Sequence, residues 1–127
     1  MTTRTFVLGT RGSRLALAQS TTVARAIEEA GARLGEDVRV KLEVVRTHGD
    51  VSAAPLAAFG GVGVFAAQLR RALLGGECDL AVHSFKDLPT APTPGLRIAA
   101  VPQREDPRDA LCAADGAKLS SLPAGAH

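Results

Sequence analysis

Short apolar runs alternate with stretches of helical periodicity along the first hundred residues, and this alternation most constrains the fold. Apolar or β-branched runs at 5–10, 38–46 and 80–84 predict strands, and a fourth run follows at 96–101. The stretches 13–32 and 64–74 between them have helical spacing. Such βαβ alternation predicts an α/β fold, with a mainly parallel sheet flanked by helices on both faces.

Small and apolar residues give the first helix its periodicity, and glycines mark the predicted helix ends. Gly31 and Gly35 are expected to end the first helix, and Gly75 with Gly76 the second. The residues that recur at helical spacing in the first helix are Leu15, Ala18, Thr22, Ala26 and Ile27.

A polar cluster follows the third predicted strand at once and consists of His83, Ser84, Lys86 and Asp87. Ligands of open α/β sheets bind just beyond the carboxyl ends of the strands, so this cluster lies where a ligand would. Lys86 can hold an anion, and Asp87 can exchange a proton if its surroundings tune its pKa. The alternative is a polar strand end in which Asp87 and Pro89 make a turn.

A second cluster, Gly9 to Arg14, lies between the first strand and the first helix. Ser13 is predicted to be the helix N-cap, and the free amides of the first turn, with Arg11 beside them, form an anion site. A generic strand-loop-helix junction with a cap is the alternative reading of this cluster alone.

The two clusters, taken with three further motifs, resemble the N-terminal portion of the porphobilinogen deaminase family, also called hydroxymethylbilane synthases. The motifs occur in the family's order and at its spacing. They are Thr10-Arg11-x-Ser13-x-Leu15-Ala16-x-x-Gln19, Thr47-x-Gly49-Asp50, Gly60-Gly61-x-Gly63-x-Phe65, Asp79-Leu80-Ala81-Val82-His83-Ser84-x-Lys86-Asp87-Leu88-Pro89 and Arg104-Glu105-Asp106-Pro107-Arg108-Asp109.

The resemblance implies a lobe like those of type II periplasmic binding proteins over residues 1–103. Residues 104–127 would then be the hinge and the incomplete start of a second lobe. The family joins four porphobilinogen molecules into the linear tetrapyrrole hydroxymethylbilane and releases ammonia. Its dipyrromethane cofactor is held by a cysteine in a third domain, a position that Cys112 does not match, so the isolated chain is expected to be inactive.

The resemblance implies a role for each of several residues of this chain. Asp87 would be catalytic, because it would hydrogen-bond pyrrole N–H groups and stabilise positive charge on an azafulvene-like intermediate. Arg11, Ser13 and Lys86 would bind carboxylates of cofactor or substrate, with Gln19 and Ser84 as supporting partners. Two positions stay open: His83 is either a structural imidazole or a cofactor contact, and Asp50 is either a turn former or a ligand residue.

The composition of the chain mainly limits the classes of partner that it is expected to bind. A net charge of +2 and the absence of Trp and Tyr argue against nucleic acid or an anionic membrane as partner. No signal peptide or membrane-spanning run is apparent, so a cytoplasmic location is expected. The resemblance implies porphobilinogen and the growing polypyrrole as partners, and a monomer is expected. Cys78 and Cys112 lack metal-ligand spacing, so no metal is expected.

Two other functions fit parts of the pattern. A non-catalytic module that binds small anions would share the lobe architecture, although Asp87 adds a negative charge that a carboxylate trap would not favour. A nucleotide-binding domain would use Gly9-x-x-Gly12 or Gly60-Gly61-x-Gly63, but neither has the spacing of a dinucleotide or Walker motif.

Overall fold

The computed structural model describes residues 2–45, 64–113 and 115–126. These residues form an α/β fold, which confirms the predicted class. The elements in chain order are β1 (Arg4–Thr10), α1 (Arg14–Arg33), β2 (Val38–Val44), α2 (Val64–Leu74) and β3 (Leu80–Ala81), with 3₁₀ turns at Phe85–Asp87 and Leu119–Ser121.

The sheet has the strand order β2-β1-β3, and both pairings are parallel. β1 pairs with β2 along its whole length, from Arg4 opposite Val38 to Thr10 opposite Val44. The pairing with β3 is short and joins Gly9 to Ala81 near the carboxyl end of β1. β1 is therefore the central strand, with the chain crossing to one neighbour and then to the other.

Asp79 starts the β1–β3 pairing with both its backbone and its side chain. Its amide donates to the carbonyl of Val7 at 2.9 Å, and its carboxylate accepts from the Val7 amide at 2.7 Å. The side chain thus satisfies a strand N–H that the short β3 does not reach. Asp79, part of a motif quoted above, has a structural role in register.

The two helices cover opposite faces of β1. Side chains alternate along a strand, so Gly9 and Thr10 face opposite sides. The Thr10 hydroxyl accepts a hydrogen bond from Ser20 of α1 at 2.7 Å. On the other side, a Cβ placed on Gly9 would lie 3.0 Å from Leu69 of α2. The prediction of helices on both faces is thereby confirmed.

Small residues form the face of α1 that packs on the sheet: Ser20, Ala24 and Gly31 are buried. By contrast, Leu15, one of the residues that indicated the helix, is 62% exposed. Gly31 does not end the helix as predicted. The helix continues to Arg33, and a glycine at 31 is needed because a Cβ there would lie 2.5 Å from Cγ2 of Val38.

The chain leaves α1 at Gly35, where φ is +75°, and leaves α2 at Gly76, where φ is +73°. A positive φ is accessible to glycine without the steric cost that a Cβ imposes. Gly35 and Gly76 are thereby confirmed as the glycines at which the two helices end.

Two strand predictions need correction. The predicted strand at 96–101 does not form: Ile98 and Val101 in it are 59% and 69% exposed, and none of the three described strands pairs with the run. β3 ends at Ala81 instead of Ser84: the Val82 amide still donates to the Gly9 carbonyl at 3.4 Å, but β1 ends at Thr10 and has no residues opposite positions 83 and 84. Arg46, the predicted end of β2, lies outside the described residues.

Residues 97–112 are exposed throughout, and Leu111 and Leu119 are 54% and 75% exposed. The apolar side chains of this stretch therefore lie outside the core around β1. The predicted boundary between residues 103 and 104 stays a prediction.

Replacement of Gly31 by Ala tests the close approach of α1 to β2. The added Cβ collides with Val38, and overpacking of this kind costs about 1–3 kcal/mol, while the better helix propensity of Ala returns up to about 1 kcal/mol. We expect a net loss of stability of roughly 1–2 kcal/mol in urea denaturation.

The Val38→Gly background is the matched control, because it removes both Cβ and Cγ2 of Val38, the two side-chain atoms that the new Cβ would meet. There Gly31→Ala should be neutral or stabilising. An equal loss in both backgrounds would contradict the packing explanation.

Candidate functional site

The carboxyl ends of β1 and β3 lie side by side at the point where the chain's crossovers diverge. β1 is followed by the crossover to β2 on one side, whereas β3 lies on its other side. Two loops therefore open next to each other, and a crevice of this kind is where open α/β sheets bind ligands. The loop after β1 contains Arg11 and Ser13, and the segment after β3 contains His83 to Asp87.

A buried hydroxyl pair anchors the first loop. Thr10 and Ser20 are both 0% exposed. The Thr10 hydroxyl accepts from Ser20 and shares its own proton between the carbonyls of Arg11 and Ala16, at 3.2 and 3.3 Å. The backbone of Arg11 is thus tied to the first turns of α1.

Ser13 is the N-cap of α1, as predicted. Its hydroxyl oxygen accepts from the Ala16 amide at 3.2 Å, and its backbone is extended, with φ −69° and ψ 151°. The hydroxyl proton remains available as a donor to a ligand. The first turn of α1 contains no acidic residue, so its positive end is not compensated from within the helix.

The second segment is joined to α1 by the side chain of Ser84. Its hydroxyl donates to Oε1 of Gln19 at 3.3 Å, across 65 positions of sequence. Gln19 keeps its amide N–H groups as donors. The two predicted supporting residues therefore contact each other and couple the β3 segment to the helix that follows β1.

Lys86 and Asp87 lie in the 3₁₀ turn that begins after Ser84. The turn is closed by hydrogen bonds from Asp87 N to the Ser84 carbonyl at 2.9 Å and from Leu88 N to the Phe85 carbonyl at 3.1 Å. Asp87 is half-buried, whereas Lys86 is exposed. The turn thus directs two opposite charges into different surroundings, one shielded and one open to solvent.

The pKa of His83 is affected by burial and by three charged residues. Burial is the largest influence and lowers the pKa of His83 below its ordinary value of 6.5. The carboxylate of Asp87 raises this pKa, and the guanidinium groups of Arg70 and Arg11 lower it. Arg11 from the first cluster and Asp87 from the second are therefore close enough to act on the same half-buried imidazole.

The predicted site residues thus fall into distinct positions. Gln19 and Ser84 are in direct contact, Arg11 and Asp87 both act on His83, and Ser13 caps α1. Asp50 lies outside the described residues. The cations and the N–H groups at this edge can bind carboxylates, while the Asp87 carboxylate can stabilise positive charge that develops on a ligand.

Sequence reasoning assigned no individual role to three residues: Thr10, Ser20 and Arg70. Thr10 shares a strand face with Leu8, and this alternation was a usable signal that its hydroxyl is buried. Arg70 lies on α2, and only the packing of α2 on the sheet brings it near His83.

The two cysteines and the remaining surface add little to this site. Cys78 is buried, and desolvation raises the pKa of its thiol above the ordinary value. Cys112 is exposed. A cavity of about 480 Å³ lies at the other end of the sheet, lined by Thr2, Thr3, Arg4, Gly35, Glu36 and Asp37.

Across 2–45, 64–113 and 115–126, no three His, Cys, Asp or Glu side chains are grouped as metal ligands would be. In the same described ranges, no helix has the length and apolar character needed to cross a membrane.

The chain is similar to known proteins of one family. A family model described as porphobilinogen deaminase, dipyromethane cofactor binding domain, matches residues 6–127. Porphobilinogen deaminase of Leifsonia xyli subsp. xyli is 56% identical over 119 residues, which cover 94% of this chain and 35% of the relative. Porphobilinogen deaminase 1 of Streptomyces coelicolor is 53% identical over 127 residues, which cover 100% of this chain and 38% of the relative. The chain spans somewhat more than a third of the length of these curated relatives.

The lowered pKa of His83 predicts how stability depends on pH. Folding lowers the pKa of the imidazole through burial, while the unfolded chain takes up a proton below the ordinary pKa of about 6.5. The stability associated with this group is therefore present above pH 6.5 and is lost as the pH falls through the lower, folded pKa of His83.

Urea denaturation of wild type and His83→Gln from neutral pH to about pH 5 measures this effect. The wild type should lose more stability than the variant over that interval. Parallel curves for the two proteins would show that His83 is not held neutral in the folded state.

Proposed function

Because the chain belongs to the porphobilinogen deaminase family, we propose that it forms the lobe of a hydroxymethylbilane synthase that binds the cofactor and carries the catalytic carboxylate. The whole enzyme would condense four porphobilinogen molecules into a linear tetrapyrrole and release ammonia at each step. The observation that carries this proposal is the 3.3 Å hydrogen bond from Ser84 to Gln19, which joins the segment containing Lys86 and Asp87 to the helix that follows β1.

The charges at this edge suit the dipyrromethane cofactor. Each pyrrole of the cofactor and substrate carries carboxylate side chains, and Arg11, Lys86 and the α1 N-terminus capped by Ser13 supply positive charge and N–H donors. When bound, the cofactor supplies the pyrrole end to which substrate units are joined. Cys78 is a poor attachment point, because it is 5% exposed and packs against Gly9.

Asp87 is the proposed catalytic residue. It would accept hydrogen bonds from pyrrole N–H groups and help to deliver a proton to the departing amine, whose C–N bond breaks to leave ammonia and a cationic methylene-pyrrole. Its negative charge would then stabilise that cation. The half-buried position of Asp87 strengthens this interaction, because solvent screens it less than it screens a surface carboxylate.

Gln19 and Ser84 would support the site by positioning. Their 3.3 Å hydrogen bond holds the start of the 3₁₀ turn against α1 and so fixes where Lys86 and Asp87 begin. A site that must hold a chain growing by one pyrrole at a time needs its reacting end to be fixed in this way.

We also propose the bounds of this lobe and how it joins the rest of the protein. Residues 1–103 would form a lobe of the type II periplasmic binding protein kind, with 104–127 as the hinge and the start of a second lobe. The exposure of Ile98, Val101 and Leu111 supports a packing partner elsewhere in the complete protein. We propose a cytoplasmic monomer acting on porphobilinogen and the growing polypyrrole.

Asp87→Ala tests the catalytic assignment in a chimera in which residues 1–127 replace the matching segment of the Streptomyces coelicolor relative. Loss of one preorganised electrostatic group typically lowers the rate by about 10²–10³, and we expect a loss of that order in kcat with little change in the unfolding midpoint. Absorbance of uroporphyrin formed from porphobilinogen gives the rate.

Asp115→Ala is the matched control, because Asp115 is an exposed carboxylate outside the site. It should retain full activity. Turnover by Asp87→Ala near that of Asp115→Ala would remove the central role of Asp87. Binding of the tetrapyrrole by a chimera without turnover would instead favour the small-anion-binding module.

The chain of 127 residues, tested alone, should convert no porphobilinogen above the uncatalysed rate. The reason is that the family resemblance places the cofactor cysteine in a third domain, outside residues 1–127. The same absorbance assay decides the point, and sustained turnover by this chain would show that the proposed division of labour is wrong.

A further inference from the structure

The backbone of Arg11 is held from inside the fold, by side chains that a ligand does not reach. Thr10 ends β1, and its carbonyl accepts from the Val45 amide at 2.9 Å, so its own backbone is fixed in the sheet. The Thr10 hydroxyl is fully buried and donates to the carbonyl of Arg11 at 3.2 Å and to that of Ala16 at 3.3 Å. One hydroxyl therefore links the first residue of the loop to the first turn of α1.

Ala16 holds the loop at its other end as well. Its amide donates to the Ser13 hydroxyl oxygen at 3.2 Å, while its carbonyl accepts from Thr10. The Ser13 carbonyl in turn accepts from the Leu17 amide at 2.9 Å. The loop that contains Arg11 and Ser13 is thus closed onto the helix at both ends.

Ser20 sets the direction in which Thr10 donates. The Ser20 hydroxyl is fully buried and donates to the Thr10 hydroxyl oxygen at 2.7 Å. A hydroxyl has a single proton and rotates to suit its partners. Because Ser20 occupies an acceptor position on the Thr10 oxygen, the Thr10 proton is directed to the carbonyls of Arg11 and Ala16. No motif of the sequence includes Ser20.

We propose that Ser20 is a positioning residue that acts through Thr10 to fix, before any ligand binds, the place from which the Arg11 side chain extends. A cation on a disordered loop loses conformational entropy when a carboxylate binds it, whereas a cation on an ordered loop loses less. The order of the Arg11 backbone follows from the hydrogen bonds above. Its consequence for turnover rests on the proposed function, in which Arg11 binds a ligand carboxylate.

NMR relaxation of the Arg11 backbone amide tests the order of the loop directly. The chimera and the chain of 127 residues are labelled at arginine nitrogen, and the Arg11 signal is assigned by its loss in Arg11→Gln. A rigid backbone amide has an order parameter of about 0.85, and a flexible one lies below about 0.6. We expect the rigid value in wild type and in Thr10→Ser, the flexible value in Thr10→Val and an intermediate value in Ser20→Ala.

Two comparisons show whether the effect comes from the hydroxyl pair. Gly31→Ala, expected to lower stability through its contact with Val38, should keep the order parameter of wild type. Adding Ser20→Ala to Thr10→Val should change nothing further, because Ser20 acts through Thr10. An Arg11 amide that stays rigid in both Thr10→Val and Ser20→Ala would overturn the proposal, as would an equal loss of order in Gly31→Ala.

A double-mutant cycle in the chimera tests the consequence for turnover. Misplacement of a binding group by about 1 Å typically costs up to about 10²-fold in rate, and we expect Thr10→Val to lower kcat/KM by about 10-fold to 10²-fold. In the Arg11→Gln background the same change should cost less than about twofold, because the backbone carbonyl of residue 11 remains but no longer positions a cation. Thr10→Ser keeps the hydroxyl and should restore kcat/KM.

Thr22→Val is the matched control for the cycle, since it removes a threonine hydroxyl that bonds the Ala18 carbonyl at 3.1 Å on the exposed side of the same helix. It should retain the kcat/KM of wild type. Equal losses from Thr10→Val with and without the Arg11 side chain would show that the pair only stabilises the fold, and would overturn the proposal. Ser20→Ala, run through the same cycle, gives the answer should Thr10→Val fail to fold.

An inactive wild-type chimera would count against the proposed function. The relaxation measurement on the chain of 127 residues would still decide whether Ser20 and Thr10 order the Arg11 backbone, so the two failures are distinguishable.

Discussion

The hydrogen bond between the hydroxyls of Thr10 and Ser20 is the constraint on which the site depends. Both groups are 0% exposed, and leaving a buried hydroxyl without a partner costs about 1–3 kcal/mol. Thr10 also shares its proton with the carbonyls of Arg11 and Ala16, so the end of β1, the following loop and the first turns of α1 hold together. The site is therefore built on a strand end that cannot move independently of the helix.

Close packing against the sheet brings the remaining residues to this strand end. Gly9 and Gly31 leave space that Leu69 and Val38 fill, so neither helix is held away from the sheet by a Cβ at these points. On the α2 side this approach carries Arg70 to the edge where β1 and β3 end. A larger residue at Gly9 would also meet Cys78, at 2.9 Å, and would displace the segment that leads into β3. Gly9 thus permits close packing at the edge where the site lies, while Gly31 does so at the other end of the sheet.

The charges of the site are mixed in sign, and the proposed reaction accounts for this. A ligand with several carboxylates requires cations, but a cationic intermediate requires a carboxylate in the same space. Burial lowers the pKa of His83, the third ionisable group at this edge, and so disfavours a further positive charge there. A surface cluster of the same composition would be screened by solvent and would discriminate less between these states.

Local sequence was sufficient for the fold class, for four of the elements to within one or two residues, and for the Ser13 cap. Each of these follows from short-range periodicity, turn residues or a capping side chain. The motifs that resemble the porphobilinogen deaminase family also identified Arg11, Gln19, Ser84, Lys86 and Asp87 as candidates. The family assignment was confirmed, whereas the roles of these residues remain proposals.

Tertiary structure alone decided the rest. The run at 96–101 has the composition of a strand but finds no partner, and strand formation depends on a neighbour that composition does not reveal. The buried face of α1 consists of small residues, because the distance to β2 at Val38 leaves no space for larger ones. Arg70 becomes part of the site only through the packing of α2, and the pKa of His83 depends on charges from three separate parts of the chain. Contacts between residues distant in sequence set each of these properties, and no local pattern encodes them.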